Sequence, residues 1–280
     1  MILIDGNATS KKRLTELKAK VEARFHRDGK RPGLAVVRIG EDPASKIYVG
    51  KKIKTCHDVG VYSLEKHYPA TISEKDVLAL IEELNANPLV HGILVQLPLP
   101  KHISADKILN AVAPEKDVDG FHPLNQGMLF IGQPTFVACT PLGIMNLLRE
   151  YEIEISGKRA VVVGRSRIVG RPISVLLDQA GATVTVVHSQ TKDRHTLLKQ
   201  AEIIVAAVGK PHFVTSEDVR EGAVVIDVGI NRLESGKIVG DVDFEAVSKR
   251  ASAITPVPGG VGPMTICSLL ENTWKSFELN

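Results

Sequence analysis

The chain has 280 residues, 44% of them hydrophobic, and carries 35 Lys and Arg against 32 Asp and Glu for a formal net charge of +3. That length suits one large or two ordinary globular domains with sizeable cores, and a charge balance so near neutral lacks the basic footprint of a nucleic-acid binder. No run reaches the length of a membrane span, and Met1-Ile-Leu-Ile-Asp5 turns polar too soon for a secretion signal, so a cytoplasmic protein with no membrane partner is expected.

Apolar runs alternate with amphipathic stretches from the start. The pattern predicts a helix over 11–27, a strand over 33–39, a helix over 44–59, a strand over 62–68, a helix over 73–85 and a strand over 92–96. That order is α/β with a largely parallel sheet. In the second helix Tyr48 and Lys52 are four apart and share a face, while Lys51 and Lys54 point elsewhere. A lysine on a surface helix is ordinarily only a solvated charge. Gln96 closes the apolar strand, where a buried amide needs a partner; it either holds a lysine amine or pins the loop that follows.

A helix over 104–111 leads into a polar, turn-rich segment, 114–134, where the domain joint is placed. Within it Asp119 precedes Gly120, either to accept paired N–H bonds from a heterocycle or simply to make an Asp-Gly turn. The next helix opens at Thr140-Pro141, with Thr140 as candidate cap. The expected boundaries are 1–138 for a first, catalytic domain and 139–280 for a second.

The second domain begins with a strand near 160–163 that runs into the turn Gly164-Arg-Ser-Arg-Ile-Val-Gly170 and a helix over 172–179, with Gly181 as its stop and a strand over 183–188 beyond. This is a β-α-β unit of the size that holds a dinucleotide. Gly164 and Gly170 let backbone approach an anion at the positive end of a helix. The turn is one residue longer than the usual G-x-G-x-x-G, with Ser166 where the middle glycine would stand. An NAD site usually has an acid at the end of the second strand. Here that strand ends in His188-Ser189-Gln190, and Arg165 with the Ser189 hydroxyl suits a 2′-phosphate, which favours NADP. The competing reading has Ser189 merely capping a turn.

Strands near 203–207 and 223–228 complete a Rossmann-like half, and a last helix over 263–279 either crosses back to join the first domain or finishes the second. Before it, residues 255–265 pack three glycines and three prolines into a loop stiffer than a linker needs and able to approach a ligand closely. Cys56, Cys139 and Cys267 are odd in number and widely spaced, which suits small buried side chains rather than a disulfide framework; no spacing of Cys or His suggests a metal site. With no Ser-His-Asp order, Walker sequence or paired-carboxylate motif, redox chemistry on a small molecule remains.

Five motifs in order, Tyr48-Val-x-x-Lys52, Val95-Gln-Leu-Pro-Leu-Pro100, Pro114-Glu-Lys-Asp-Val-Asp-Gly120, Gly164-Arg-Ser-x-x-Val-Gly170 and Pro256-Val-Pro-Gly-Gly-Val-Gly-Pro-Met-Thr265, cover essentially the whole chain. Together they resemble the bifunctional methylenetetrahydrofolate dehydrogenase/methenyltetrahydrofolate cyclohydrolase family. The resemblance implies two α/β domains with a cleft between them, the second Rossmann-like and NADP-binding. It implies oxidation of 5,10-methylenetetrahydrofolate to the 5,10-methenyl cation and hydrolysis of that cation to 10-formyltetrahydrofolate, a step of one-carbon metabolism. By the same resemblance Lys52 handles the proton, Tyr48 orients the folate, Gln96 hydrogen-bonds the lysine and Asp119 holds the pterin ring. Gly164, Arg165 and Ser166 form the phosphate turn, Ser189 meets the 2′-phosphate, and Gly229 with Ile230 lies on the nicotinamide side. Pro258, Gly259 and Gly260 lie against substrate, and a homodimer is expected. One departure is Ala138, where the family often has proline. The alternatives are an NADP-binding protein without chemistry and a dehydrogenase of another small molecule, such as shikimate or an amino acid.

Overall fold

The computed structural model describes residues 1–279, which form two compact units. One comprises Met1–Lys11 and Thr140–Thr265, the other Lys12–Cys139 and the chain from Ile266 onward.

The unit built on 12–139 has a parallel sheet of β2 (Gly33–Ile39), β3 (Tyr62–Tyr68) and β4 (Gly92–Val95), in the order β3-β2-β4. Each crossover is a helix: α2 (Pro43–Val59) between β2 and β3, and α3 (Glu74–Ala86) between β3 and β4. Every residue of β2 is buried, because helices cover both faces of the sheet; Ala35, Val37 and Ile39 enter one core while Leu34 and Val36 enter the other. Residues from α1 (Gly6–Asp28), Leu17 and Val21, and from the last helix, Ile266, Leu269 and Leu270, complete the second core. The last helix itself runs Val261–Leu279.

The other unit carries a six-stranded sheet. Its strands are β1 (Ile2–Leu3), β5 (Arg159–Val163), β6 (Thr183–Val187), β7 (Ile203–Ala206), β8 (Val224–Asp227) and β11 (Ala253–Ile254), paired in parallel in the order β1-β11-β8-β7-β5-β6. Alternation assigns Ala160 and Val162 to the core beneath α6 (Cys139–Glu150) and α7 (Gly170–Gln179), and Val161 and Val163 to the opposite core with Leu198 of α8 (Arg194–Gln200). Strand β5 lies between the edge strand β6 and β7. The chain therefore reverses direction of travel between β5 and β7, the switch point at which open α/β sheets take ligands.

Several expectations are corrected here. Met1–Lys11 falls in the second unit rather than in a domain spanning 1–138, because Ile2 and Leu3 pair with Ala253 and Ile254 at the sheet edge. The turn-rich segment 114–134 contains a helix, α5 (Pro123–Phe130), capped by His122, whose Nδ1 accepts from Leu124 N at 3.0 Å. Thr140 is no cap: α6 begins one residue earlier, and the Thr140 hydroxyl meets Thr265 Oγ1 at 2.9 Å. A two-stranded hairpin, β9 (Asn231–Arg232) with β10 (Ile238–Val239), and a short α9 (Phe244–Val247) complete the fold.

Candidate active site and cofactor turn

Helix α2 begins where the Asp42 carboxylate accepts from Ser45 N at 2.7 Å, with Pro43 in the first turn, and ends at Gly60 with φ +86°. Of its lysines, Lys51 and Lys54 are exposed, whereas Lys52 retains only 7% exposure. That rules out a solvated charge for Lys52. Its Nζ donates to Gln96 Oε1 at 3.0 Å. Gln96 Nε2 in turn donates to Leu97 O at 2.8 Å, so the amide has one orientation: only its NH2 can give to a carbonyl and only its oxygen can take from an ammonium. Both expected roles of Gln96 are thus met at once. Tyr48, one turn before Lys52, is half-buried, and desolvation raises its phenol above the ordinary value.

Asp119 completes this group. Burial pushes its carboxyl up to about 6, against the Lys52 charge, which lowers it; the neighbouring Asp117 adds a further upward push and a hydrogen bond with Cys139 a downward one. The structural reading of the Asp-Gly turn holds as well. Gly120 has φ +73°, and a Cβ there would lie 2.4 Å from Ala138 N, so the chain passes too close for any other residue.

Two residues here went unrecognised in the sequence. Asp117 accepts from Phe121 N, His122 N and Asn125 Nδ2 at 3.1, 2.8 and 2.8 Å, holding the turn that presents Asp119. Cys139 bonds Val118 O at 3.2 Å and also meets Asp119, and burial raises its thiol well above the ordinary range. The three cysteines are buried and form no disulfide, and among the described residues no group of His, Cys, Asp and Glu could hold a metal ion.

The other expected residues gather along the carboxyl edge of the six-stranded sheet. Gly164, directly after β5, has φ +113°, and a Cβ on it would lie 2.3 Å from Ala207 O, just past β7; a Cβ on Gly170 would lie 2.2 Å from Gly164 O. The glycines are required by strand and turn packing, which leaves the backbone of the turn bare. Ser166 Oγ accepts from Val169 N and Gly170 N, both at 3.2 Å, so it shapes the start of α7 and keeps its own O–H for donation. Arg165 donates to Gln190 Oε1 at 3.0 Å, and Ser189 beside it is exposed. Gly164→Ala is expected to destabilise this unit by about 1–3 kcal/mol and weaken cofactor binding, visible as a lowered first unfolding transition and a raised KM for NADP.

Ile230, past β8, is 48% exposed, and Gly229 is glycine because a Cβ would lie 2.3 Å from Asp241 Oδ1. Of residues 258–260, Pro258 is exposed, while Gly259 O accepts from Asn7 N at 3.1 Å and a Cβ on Gly260 would lie 2.6 Å from Pro256 O. The stiffness of that loop thus has a packing origin at the start of α1.

The tetrahydrofolate dehydrogenase/cyclohydrolase catalytic-domain model matches residues 4–119, and the NAD(P)-binding-domain model of the same enzymes matches 138–280. The chain belongs to the tetrahydrofolate dehydrogenase/cyclohydrolase family. It is 55% identical to a bifunctional protein FolD of Polynucleobacter asymbioticus over 99% of this chain and 97% of that protein, and 56% identical to one of Lactococcus lactis over 99% and 96%. Among solved structures, the bifunctional FolD of Campylobacter jejuni superposes with a TM-score of 0.98 at 54% identity, covering 100% of this chain and 99% of that one. The Trypanosoma brucei member, solved with NADP cofactor and an inhibitor, gives 0.97 at 40%, covering 100% and 98%. A shikimate dehydrogenase of Aquifex aeolicus, at 14% identity and a TM-score of 0.54 over 90% and 92%, shares the fold alone. As a family member the chain is a bifunctional enzyme: an NADP-dependent methylenetetrahydrofolate dehydrogenase and a methenyltetrahydrofolate cyclohydrolase. No helix among the described residues is long and apolar enough to cross a membrane.

Proposed function

We propose that the unit built on 12–139 handles the folate and the unit containing 140–265 holds NADP, with the residues above in the following roles. Lys52 is the proton-handling group of the cyclohydrolase step. Water adds to the carbon of the methenyl cation and gives one proton to Lys52 in its amine form; as the C–N bond breaks, the hydroxyl left on that carbon loses its proton to become the formyl C=O and the ring nitrogen takes one, so that 10-formyltetrahydrofolate and one net proton result. Gln96 orients the amine, Tyr48 places the folate against it, and Asp119 accepts paired N–H bonds from the pterin. Residues 258–260 border the substrate.

Hydride transfer places different demands on the protein. The substrate nitrogen lone pair expels hydride as the cation forms, so positioning is the main requirement and no acid or base is called for. NADP supplies the hydride acceptor. The groups at the β5 turn fit such an anion in kind: bare backbone at Gly164, an available O–H on Ser166, an exposed guanidinium on Arg165 beside Ser189 for a 2′-phosphate, and Gly229 with Ile230 for the nicotinamide side. A homodimer in the cytoplasm is the working state.

The observation that carries this reading is the buried Lys52–Gln96 bond beside Asp119. Its test follows purified protein at two wavelengths, for NADPH and for methenyltetrahydrofolate. NADPH formation from methylenetetrahydrofolate, loss of the latter activity alone on substituting Lys52, and loss of NADP preference over NAD on Arg165→Ala are expected. Unchanged NADP preference in that variant rejects the Arg165 role.

A further inference from the structure

Two carboxylates that the chemistry above leaves unused are buried together beneath the carboxyl edge of the six-stranded sheet. Asp227, at the end of β8, is 3% exposed and accepts from Gly229 N, Asp241 N and Val242 N at 2.9, 2.9 and 3.0 Å. Asp241 is fully buried and accepts from Val208 N, Gly209 N and Lys210 N at 2.6, 2.9 and 2.9 Å, and from Asn231 Nδ2 at 2.9 Å. Among the described residues no cation pairs with either, so N–H groups alone meet their charge. Burial is the larger influence on Asp227 and pushes its carboxyl up to about 6, a cost that three backbone donors only partly offset.

Such a pair is an expensive way to hold a loop, and what it holds is specific. Residues 208–210 follow β7, and a Cβ on Gly164 would lie 3.4 Å from Val208 Cγ1 and 2.3 Å from Ala207 O, so this segment is the wall against which the β5 turn rests. Residues 229–231 follow β8 and include Ile230. Both segments are tied to a single carboxylate, Asp241, which is tied in turn to Asp227. The packing leaves no slack: a Cβ on Gly229 would lie 2.3 Å from Asp241 Oδ1, and one on Gly240 would lie 1.8 Å from Asp227 Oδ2.

We infer that Asp241 and Asp227 are positioning residues of the dehydrogenase half-reaction, fixing segments 208–210 and 229–231 in the arrangement that receives NADP. This rests on the proposed cofactor site at the β5 turn. Because each oxygen accepts and neither can donate, the conservative replacement is informative: asparagine keeps the volume but turns an NH2 toward N–H groups.

The experiment measures both activities of Asp241→Asn and Asp227→Asn in the full-length protein. The cyclohydrolase rate reports that the other unit, which carries Lys52, Gln96 and Asp119, is undisturbed, and thermal unfolding of each variant reports folding of the unit that carries the change. The expected result is a KM for NADP raised about tenfold or more with the cyclohydrolase rate within about twofold of the parent. Asn231→Ala, which removes one donor from Asp241, is the milder variant should the others not fold, and is expected to raise that KM about threefold to tenfold. An unchanged KM for NADP in whichever of these variants folds, or a parallel loss of both activities in Asn231→Ala, overturns the inference. Ile230→Ala separates it from the site assignment. If that variant is silent while Asp241→Asn raises KM, the Ile230 role falls and the inference stands; if Ile230→Ala raises KM and Asp241→Asn does not, the inference alone falls.

Discussion

Lys52→Met is expected to lower the cyclohydrolase rate by roughly 10²–10⁴-fold, the range supplied by a positioned general base, while NADP binding stays at the parental level. The replacement suits the site sterically. An unbranched apolar chain of similar length enters a position only 7% exposed, and the amine's desolvation is removed together with its bond to Gln96. Gln96 Oε1 then loses its donor, which costs about 1–3 kcal/mol at most in a protein whose Gln96 Nε2 bond to Leu97 O is untouched. The variant should therefore fold. Lys52→Arg sharpens the result: a guanidinium keeps the positive charge but does not release its proton, so it should restore electrostatics without restoring turnover. The charge has a second readout, because Lys52 holds the Asp119 carboxyl down; in Lys52→Met that carboxyl should titrate above its value of about 6, and in Lys52→Arg it should not. Cyclohydrolase activity retained in both variants would remove Lys52 from the proton transfer.

What the sequence conveyed and what it withheld divide along a physical line. Strands β2 and β3 run over the expected residues because each is a continuous extended run bounded by turn formers, a local property. Strands β1 and β11 have two residues each and exist only because Ile2 and Leu3 meet Ala253 and Ile254 across the length of the chain; nothing in either segment announces the other. The site divides in the same way. Gln96 stood out as a polar group closing an apolar strand, whereas Lys52, among the other lysines of its helix, stood out only through the Tyr48-Val-x-x-Lys52 motif. Asp117, Asp227 and Asp241 carried no such signal, since eight of their ten donors are backbone N–H groups whose convergence is a tertiary fact. Gly164, Gly229 and Gly260, expected at ligand contacts, are each also required within the fold by a neighbouring backbone or carboxylate.

Asp119→Asn should gain stability and lose function, and the pH dependence of the gain fixes its cause. The carboxyl rises from an ordinary 3.8 to about 6 in the folded protein, chiefly through burial. A raised pKa means the folded state holds the proton more tightly than the unfolded chain. The contribution to stability is therefore complete below the unfolded value and is lost as pH rises through the window from 3.8 to about 6. Near neutrality the parent carries an ionised group that folding disfavours. At 1.36 kcal/mol per unit the upper limit is about 3 kcal/mol, and since the asparagine amide retains part of the desolvation cost, a gain of about 1–2 kcal/mol is expected near pH 8. Denaturant unfolding of both proteins should show that difference shrinking as pH falls from about 6 to about 4; a difference independent of pH would assign it to packing instead. Catalysis should move the other way. A carboxylate offers one oxygen to each of two paired N–H groups of a heterocycle, whereas an amide offers one oxygen and turns its NH2 toward the second N–H, so kcat/KM for folate is expected to fall about 10–100-fold in both activities while the KM for NADP is unchanged. A half-buried acid that weakens the fold and strengthens substrate binding is retained for what it binds, and the opposite signs of these two measurements are what that trade requires.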